Sequence, residues 1–180
     1  MKRNVLIFGI IGLLIIILVS VFIIIKSKKS DNTKTLEYFD DKTGNKVVFE
    51  YPEDEKFEIT KEGVDGAYKE IEFKNEELNI KGDMYFIREY NKSFEKNKEA
   101  NKDADNFKEY KANGFDSFYY TQSNENTIHN KILVANDEDE GLSLYMYLEK
   151  NDYDKDSNLL DSFNDDVFQD FIKSIKYEKK

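Results

Sequence analysis

The sequence predicts an α+β fold, an antiparallel sheet covered by helices on both faces and preceded by one transmembrane helix. Three observations predict it. Residues Val5 to Ile25 form a run of 21 without a charge. Several later strand-length runs are apolar on both faces, which implies cover on both sides of a sheet. The last stretch carries one apolar stripe at helical spacing, from Leu160 to Ile175. The chain divides accordingly into a short tail (1–4), a membrane helix (5–25), a polar linker (26–35) and a globular domain (36–180).

A helix of the first run, rising about 1.5 Å per residue, reaches the roughly 30 Å of a bilayer's hydrocarbon core. A secretory signal has a shorter apolar core, about 7 to 15 residues, then small residues at a cleavage point. Here the run passes straight into Lys26, Lys28 and Lys29. Lipoprotein processing needs a cysteine and the chain has none, while a sortase signal needs a proline near the far end and the only proline is Pro52. The expectation is an uncleaved, single-pass anchor in contact with membrane lipid. Counting flanking charges, Lys2 and Arg3 against Lys26, Lys28, Lys29 and Lys34, leans towards a cytoplasmic C-terminus. Large domains translocate largely regardless of such charges, and a first helix after four residues resembles a signal anchor. A cell-membrane protein with its C-terminal domain extracytoplasmic is therefore the expected topology.

The first thirty residues hold five basic and no acidic side chains, so the remainder has a net charge of about −15. Nucleic acid is excluded as an expected partner, because phosphate contacts want clustered Lys and Arg and only two of the 27 basic residues are arginine. Twenty-four Phe and Tyr beyond the membrane segment supply a core. With no cysteine there is no thiol catalysis and no disulfide.

The elements follow in order. "KVVFEY" (Lys46–Tyr51) places Val47, Phe49 and Tyr51 on one face, and Pro52 ends the strand. Tyr68–Lys74 places Ile71 with Phe73 after the turn cluster "EGVDG". Asp83–Tyr90 sets Met84, Phe86 and Tyr90 against Tyr85 and Ile87, and "GLSLYMYLE" sets Leu142, Leu144, Met146 and Leu148 against Ser143, Tyr145 and Tyr147. "KILVA" is apolar on both faces, and "NDEDEG" (Asn136–Gly141) reads as a hairpin turn. Short turns imply antiparallel strands. A helix from Ser93 to about Lys102 has a thin apolar face. The last helix buries Phe163, Val167, Phe171 and Ile175, with aspartates early and Lys173 and Lys176 late, as the helix dipole favours.

Two stretches, "VVFEYPEDEKFEI" and "FQDFIKSIKYEK", resemble the PsbP-like family, the superfamily of the photosystem II oxygen-evolving subunit and its bacterial relatives. "YKANGFDSFYYTQ" looks like that family's glycine-led strand pair. The resemblance covers about Lys46 to Tyr177 and implies an α/β/α sandwich with no shared catalytic residues.

Candidate chemistry is sparse. His129, the only histidine, sits in "NTIHNK" and reads as a surface-loop residue, since zinc without cysteine or a second histidine needs an unusual carboxylate-rich shell. No Gly-x-Ser-x-Gly elbow supports Ser-His-Asp catalysis. Asp152, Asp154 and Asp156 match positions 1, 3 and 5 of an EF-hand loop, but Ser157 stands where its glycine belongs and Phe163 where its glutamate belongs. That loop reads as a solvated cap on the last helix, with Asp156 or Ser157 at the N-cap and room only for low-affinity calcium; no other cofactor is expected. The expected function is a non-catalytic binding or accessory module with an envelope protein partner. A membrane-tethered sensor, or a subunit of an envelope complex binding cations or envelope ligands, is the alternative from another class, and an enzyme comes third.

Overall fold

A computed structural model describes Thr33 to Lys180 apart from residues 53–56, 66–67, 123–125, 137–139 and 151–157, with backbone alone at 61–65, 68–70 and 140. The predicted membrane helix and the aspartates 152, 154 and 156 lie outside the described residues. Among the described residues no helix is long and apolar enough to cross a membrane.

Among the described residues, ten strands and three helices follow in the order β1 (Thr33–Phe39), β2 (Lys46–Pro52), β3 (Phe57–Asp65), β4 (Tyr68–Asn75), β5 (Ile80–Tyr90), α1 (Ser93–Asn101), β6 (Lys108–Ala112), β7 (Phe115–Gln122), β8 (Thr127–Asn136), β9 (Glu140–Lys150), α2 (Leu159–Asn164), α3 (Asp166–Lys173) and β10 (Lys176–Glu178). Seven strands form a large sheet in the order β3-β4-β5-β9-β8-β7-β6, and β1-β2-β10 form a small one. Every pairing is antiparallel, as the short turns predict. The β1–β2 turn is held by Asp40, whose N–H donates to Asn45 O and whose carbonyl accepts from Gly44 N, each at 2.8 Å. Gly44 there has φ +72°, a conformation that favours glycine.

The inner face of the large sheet carries the core. Ile71, Met84, Phe86, Leu144, Met146, Leu148, Ile128 and Ile132 are all fully buried on it. Two kinds of cover meet this face. From the small sheet, Tyr38 stacks on Phe86 with ring centroids 4.1 Å apart. From the helices, Phe163 packs on Tyr119 at 4.9 Å and Phe168 on Phe73 at 6.1 Å. Phe171 joins helix to small sheet, edge-on to Phe49 at 5.2 Å.

The expected sandwich with helices on both faces is thus corrected. The described chain is mostly antiparallel strand in two sheets, and a second sheet rather than a helical layer forms much of the inner cover. On the outer face the one helix among the described residues is α1, of nine residues, with Phe94 alone of its side chains buried, against Phe118 and Leu133. The runs that are apolar on both faces misled because their outward residues are largely tyrosines. A tyrosine presents an apolar body with a wet hydroxyl tip and does not require full cover.

The final helix is also interrupted. Asp165 takes an extended conformation (φ −62°, ψ 144°), and its side chain accepts from Val167 N at 2.9 Å, ending α2 and capping α3. Gln169 Nε2 donates to the Phe163 carbonyl at 2.6 Å, supplying a partner to a group freed at the break. One extended residue resets the helical phase, so Phe168, Phe171 and Ile172 are buried in α3 while Val167 is only half-buried. The first turn of α2 is capped by Asn158, whose side chain accepts from Leu160 N, where Asp156 or Ser157 was expected.

Candidate ligand-binding face

The outer face of the large sheet brings together residues far apart in sequence. Glu72 of β4 pairs with Asp83 of β5, Asp83 with Tyr147 of β9, Tyr147 with His129 of β8, and His129 with Tyr120 of β7. Directly opposed residues share a face, so these five side chains form one transverse row, acidic at the β4 end and aromatic at the β7 end. The next row holds Tyr85, Tyr145, Lys131 and Phe118 by the same pairing.

The rings touch. Tyr120 stacks on His129 at 4.8 Å with planes 8° from parallel, Tyr147 meets His129 nearly perpendicular at 5.2 Å, and Tyr85 lies 6.2 Å from Tyr145. His129 Nδ1 and the Tyr145 hydroxyl share a hydrogen bond. The other ring nitrogen, Nε2, is buried without a hydrogen-bond partner. Burial lowers the His129 pKa, so the ring is neutral at physiological pH. Burial raises the hydroxyls of Tyr120 and Tyr145 above the ordinary tyrosine range, and Tyr147 is raised by its hydrogen bond to Glu149 and then by burial. The aromatic part of the face is therefore uncharged. Tyr85, Tyr120, His129, Tyr145 and Tyr147 are all half-buried, and Ile87 beside them is 37 % exposed.

At the acidic end lies a cleft of about 360 Å³ lined by Glu72, Lys74, Lys81, Asp83, Tyr147 and Glu149, with Thr60 at one side and Phe73 and Gly82 between. Gly82 is required there. A Cβ would lie 2.3 Å from the Tyr147 carbonyl oxygen and 3.0 Å from the Phe73 ring. Lys81 pairs with Glu149 at 3.6 Å, and Lys74 with Glu58 at 2.8 Å and Glu76 at 3.3 Å. The hydrogen bonds that Lys74 donates to Glu58 and Glu76 raise its pKa, keeping it charged.

Beyond the aromatic rows the face is closed by α1. Lys131 Nζ lies 2.6 Å from Glu89 Oε1, both side chains nearly buried, and the Ser93 hydroxyl at the start of α1 donates to Glu89. Lys131 also sits 5.9 Å over the Phe94 ring. This cluster fastens the helix. Through Lys131 it enters the second row beside Tyr145, and the rest of it borders the aromatic rows.

His129 is placed in strand β8, half-buried among tyrosines, and not in a surface loop. The histidine lies one residue from where the strand begins to bury its side chains, and its flanking polar residues hid the strand. Among the described residues no group of three or more His, Cys, Asp or Glu is positioned to hold a metal. Tyr85, Tyr120, Tyr145 and Tyr147 were not candidates in the sequence. The available signal was the alternation in β5 and β9, where every outward apolar position between Tyr85 and Tyr147 except Ile87 is a tyrosine.

Compared with family models, curated proteins and solved structures, the chain matches none of them. The PsbP-like resemblance rests on the three quoted stretches alone.

Proposed function

We propose that the chain is a single-pass, membrane-anchored, extracytoplasmic binding module without catalytic activity, which takes its ligand on the outer face of the large sheet. The observation that carries this reading is the transverse row Glu72, Asp83, Tyr147, His129 and Tyr120, half-buried and bordered by a cleft. Aromatic groups with a few polar partners in a concave setting are the common composition of binding sites. The neutral histidine and the tyrosines held in their protonated form supply hydrogen-bonding and stacking groups rather than a nucleophile. The anchor rests on the uncharged run Val5–Ile25, and the orientation on the likeness of a first helix after four residues to a signal anchor.

The test is a chemical-shift survey of the full chain in phosphatidylglycerol nanodiscs against small organic ammonium compounds, neutral sugars and carboxylates. Shifts from at least one class should cluster on Tyr85, His129, Tyr145 and Tyr147. Shifts scattered over the surface for every class, or absent for all, would sink the reading. A reporter active on one side of the membrane, fused after Lys180, tests the orientation separately.

A further inference from the structure

We infer that two copies of this chain pair through β6, edge to edge and antiparallel, about Tyr110. The inference goes beyond the binding-face reading and does not depend on it. β6 ends the large sheet, with β7 as its one sheet neighbour among the described residues. Asn113 and Gly114 join the two strands, and their φ values of +50° and +90° suit a two-residue hairpin turn. Such a turn makes Ala112 and Phe115 a hydrogen-bonded pair, and the ladder alternates from there. Tyr110 and Lys108 therefore also exchange bonds with β7, while Glu109 and Lys111 turn their backbone N–H and C=O groups towards the open edge. Both of their side chains are exposed.

An added antiparallel strand must meet those outward groups with outward groups of its own. A second β6 can do so with Glu109 opposite the partner's Glu109, or Lys111 opposite the partner's Lys111, and each sets like charges together. The register between them sets Glu109 opposite the partner's Lys111, and two-fold symmetry repeats the pair on the other side of Tyr110. Directly opposed like charges destabilise a strand pair and opposite charges stabilise it, so the charges select this register. The pattern continues outwards on both sides of the join. Lys98 lies 3.2 Å from Glu109, and Lys111 bonds Asp116, so signs alternate along Lys98, Glu109, the partner's Lys111 and the partner's Asp116. On the inner face the Tyr110 hydroxyl donates to Asn130 Oδ1 at 2.7 Å, which draws the ring over its own sheet and away from the edge. Lys108 meets the partner's Ala112, a small side chain. The other edges are less suited. β3 has a register shift between Ile59 and Lys61, an irregularity that blunts an edge. In β1 the charged residues Lys34 and Glu37 stand on opposite faces and cannot oppose each other in a two-fold pair. β10 repeats the alternation in Lys176, Tyr177 and Glu178, but over three residues against five. A contact of this length belongs with transient interfaces, and copies held in one membrane meet at a raised effective concentration.

The chain has no cysteine, so Lys96→Cys, at an exposed position of α1, gives one site for a donor or an acceptor dye. Full chains carrying each dye are mixed in phosphatidylglycerol vesicles, and energy transfer is followed as lipid dilutes the protein. Flotation with the vesicles is checked first, and a chain that does not float is measured in free solution, which separates failure of the anchor from failure of the pairing. Transfer should persist beyond the dilution at which chance proximity gives none. Glu109→Lys and Lys111→Glu should each weaken association at least tenfold. Mixing the two variants should restore it, because every opposed pair again joins opposite charges, and a chain carrying both changes should pair with itself as the wild type does. No transfer in the wild type overturns the inference. Transfer that neither single variant weakens places the contact on another surface and also overturns it. Loss in both single variants, without recovery in either the mixture or the double variant, overturns the register about Tyr110.

Discussion

Tyr38 stacks on Phe86 with planes 8° from parallel, and two residues further along the chain from each, Asp40, just past the end of β1, accepts from the guanidinium of Arg88 in β5. A ring pair and an ion pair thus join the small sheet to the large one at adjacent steps. Arg88 is the only arginine after Arg3, and it is used here in the interior rather than on the surface. Asp40 also accepts from the Thr43 hydroxyl at 2.6 Å and from Lys42 N at 3.2 Å.

We expect Arg88→Met to cost about 3–5 kcal/mol, because it leaves a buried carboxylate without its cation. Urea denaturation of the variant and the wild type, at constant slope, measures the difference. Asp40→Asn should cost less. A loss under about 1 kcal/mol in Arg88→Met would show that water reaches Asp40 readily.

Two acid-side transitions follow from the titrations. Burial works against ionising Asp40, but hydrogen bonds from Thr43, Arg88 and Lys42 outweigh it and hold the carboxyl below its usual range. A lowered folded value means that the contribution of Asp40 is fully present above about pH 3.9 and is lost as pH falls through the folded value. His129 is lowered by burial. Its unfolded form takes up a proton near pH 6.5 before the folded form does, so stability should decline as pH drops from about 6.5 towards that lower value. Melting temperature against pH should show both declines, with His129→Phe removing only the upper one and Asp40→Asn only the lower.

Gly82→Ala should destabilise by roughly 1–3 kcal/mol, the usual range for overpacking a filled site. The atom in the way is a backbone carbonyl, Tyr147 O, which cannot rotate aside as a side chain could. Because β5 and β9 are the central strands, the variant should also lose hydrogen-exchange protection across the Gly82–Leu148 pair. Unchanged protection there would refute the close approach.

The C-terminal helices separate capping from packing. Asp165→Ala removes the acceptor for Val167 N and should cost about 0.5–2 kcal/mol. Phe171→Ala should cost about 3–5 kcal/mol, since its ring is 3 % exposed and touches Phe49, Phe57 and Phe168. Lys173→Ala, on the exposed side, should stay within about 0.5 kcal/mol. Thermal denaturation of the three variants ranks them.

Much of this architecture is legible in the sequence as elements and little of it as assembly. Val47 and Phe49, Ile71 and Phe73, and Leu142 to Leu148 on alternate positions all point inward as their period-two spacing requires. The break at Asp165 was hidden because the apolar stripe continues across it, and an Asp that caps a helix looks the same in sequence as one on a helix surface. The binding face was hidden for a different reason. Its row is composed by register across five strands, and register depends on loops and bulges, such as the shift between Leu133 and Ala135, that periodicity does not encode.

The position of β10 bears on the order in which the chain can be completed. β2 lies between β1, its immediate neighbour in sequence, and β10, so the Asn45 amide reaches the Tyr177 hydroxyl across 132 positions of chain. At translation speeds of about 5–20 residues per second, the β1–β2 hairpin exists for roughly 6 to 25 s before its second partner is synthesised. During that interval one edge of β2 offers unpaired N–H and C=O groups, and Val47 and Phe49 have no finished core to enter. Maturation of this protein is therefore gated by its last strand. A chaperone that recognises extended apolar segments would find its substrate at β2, and truncation before Lys176 should lengthen that association instead of merely trimming an end.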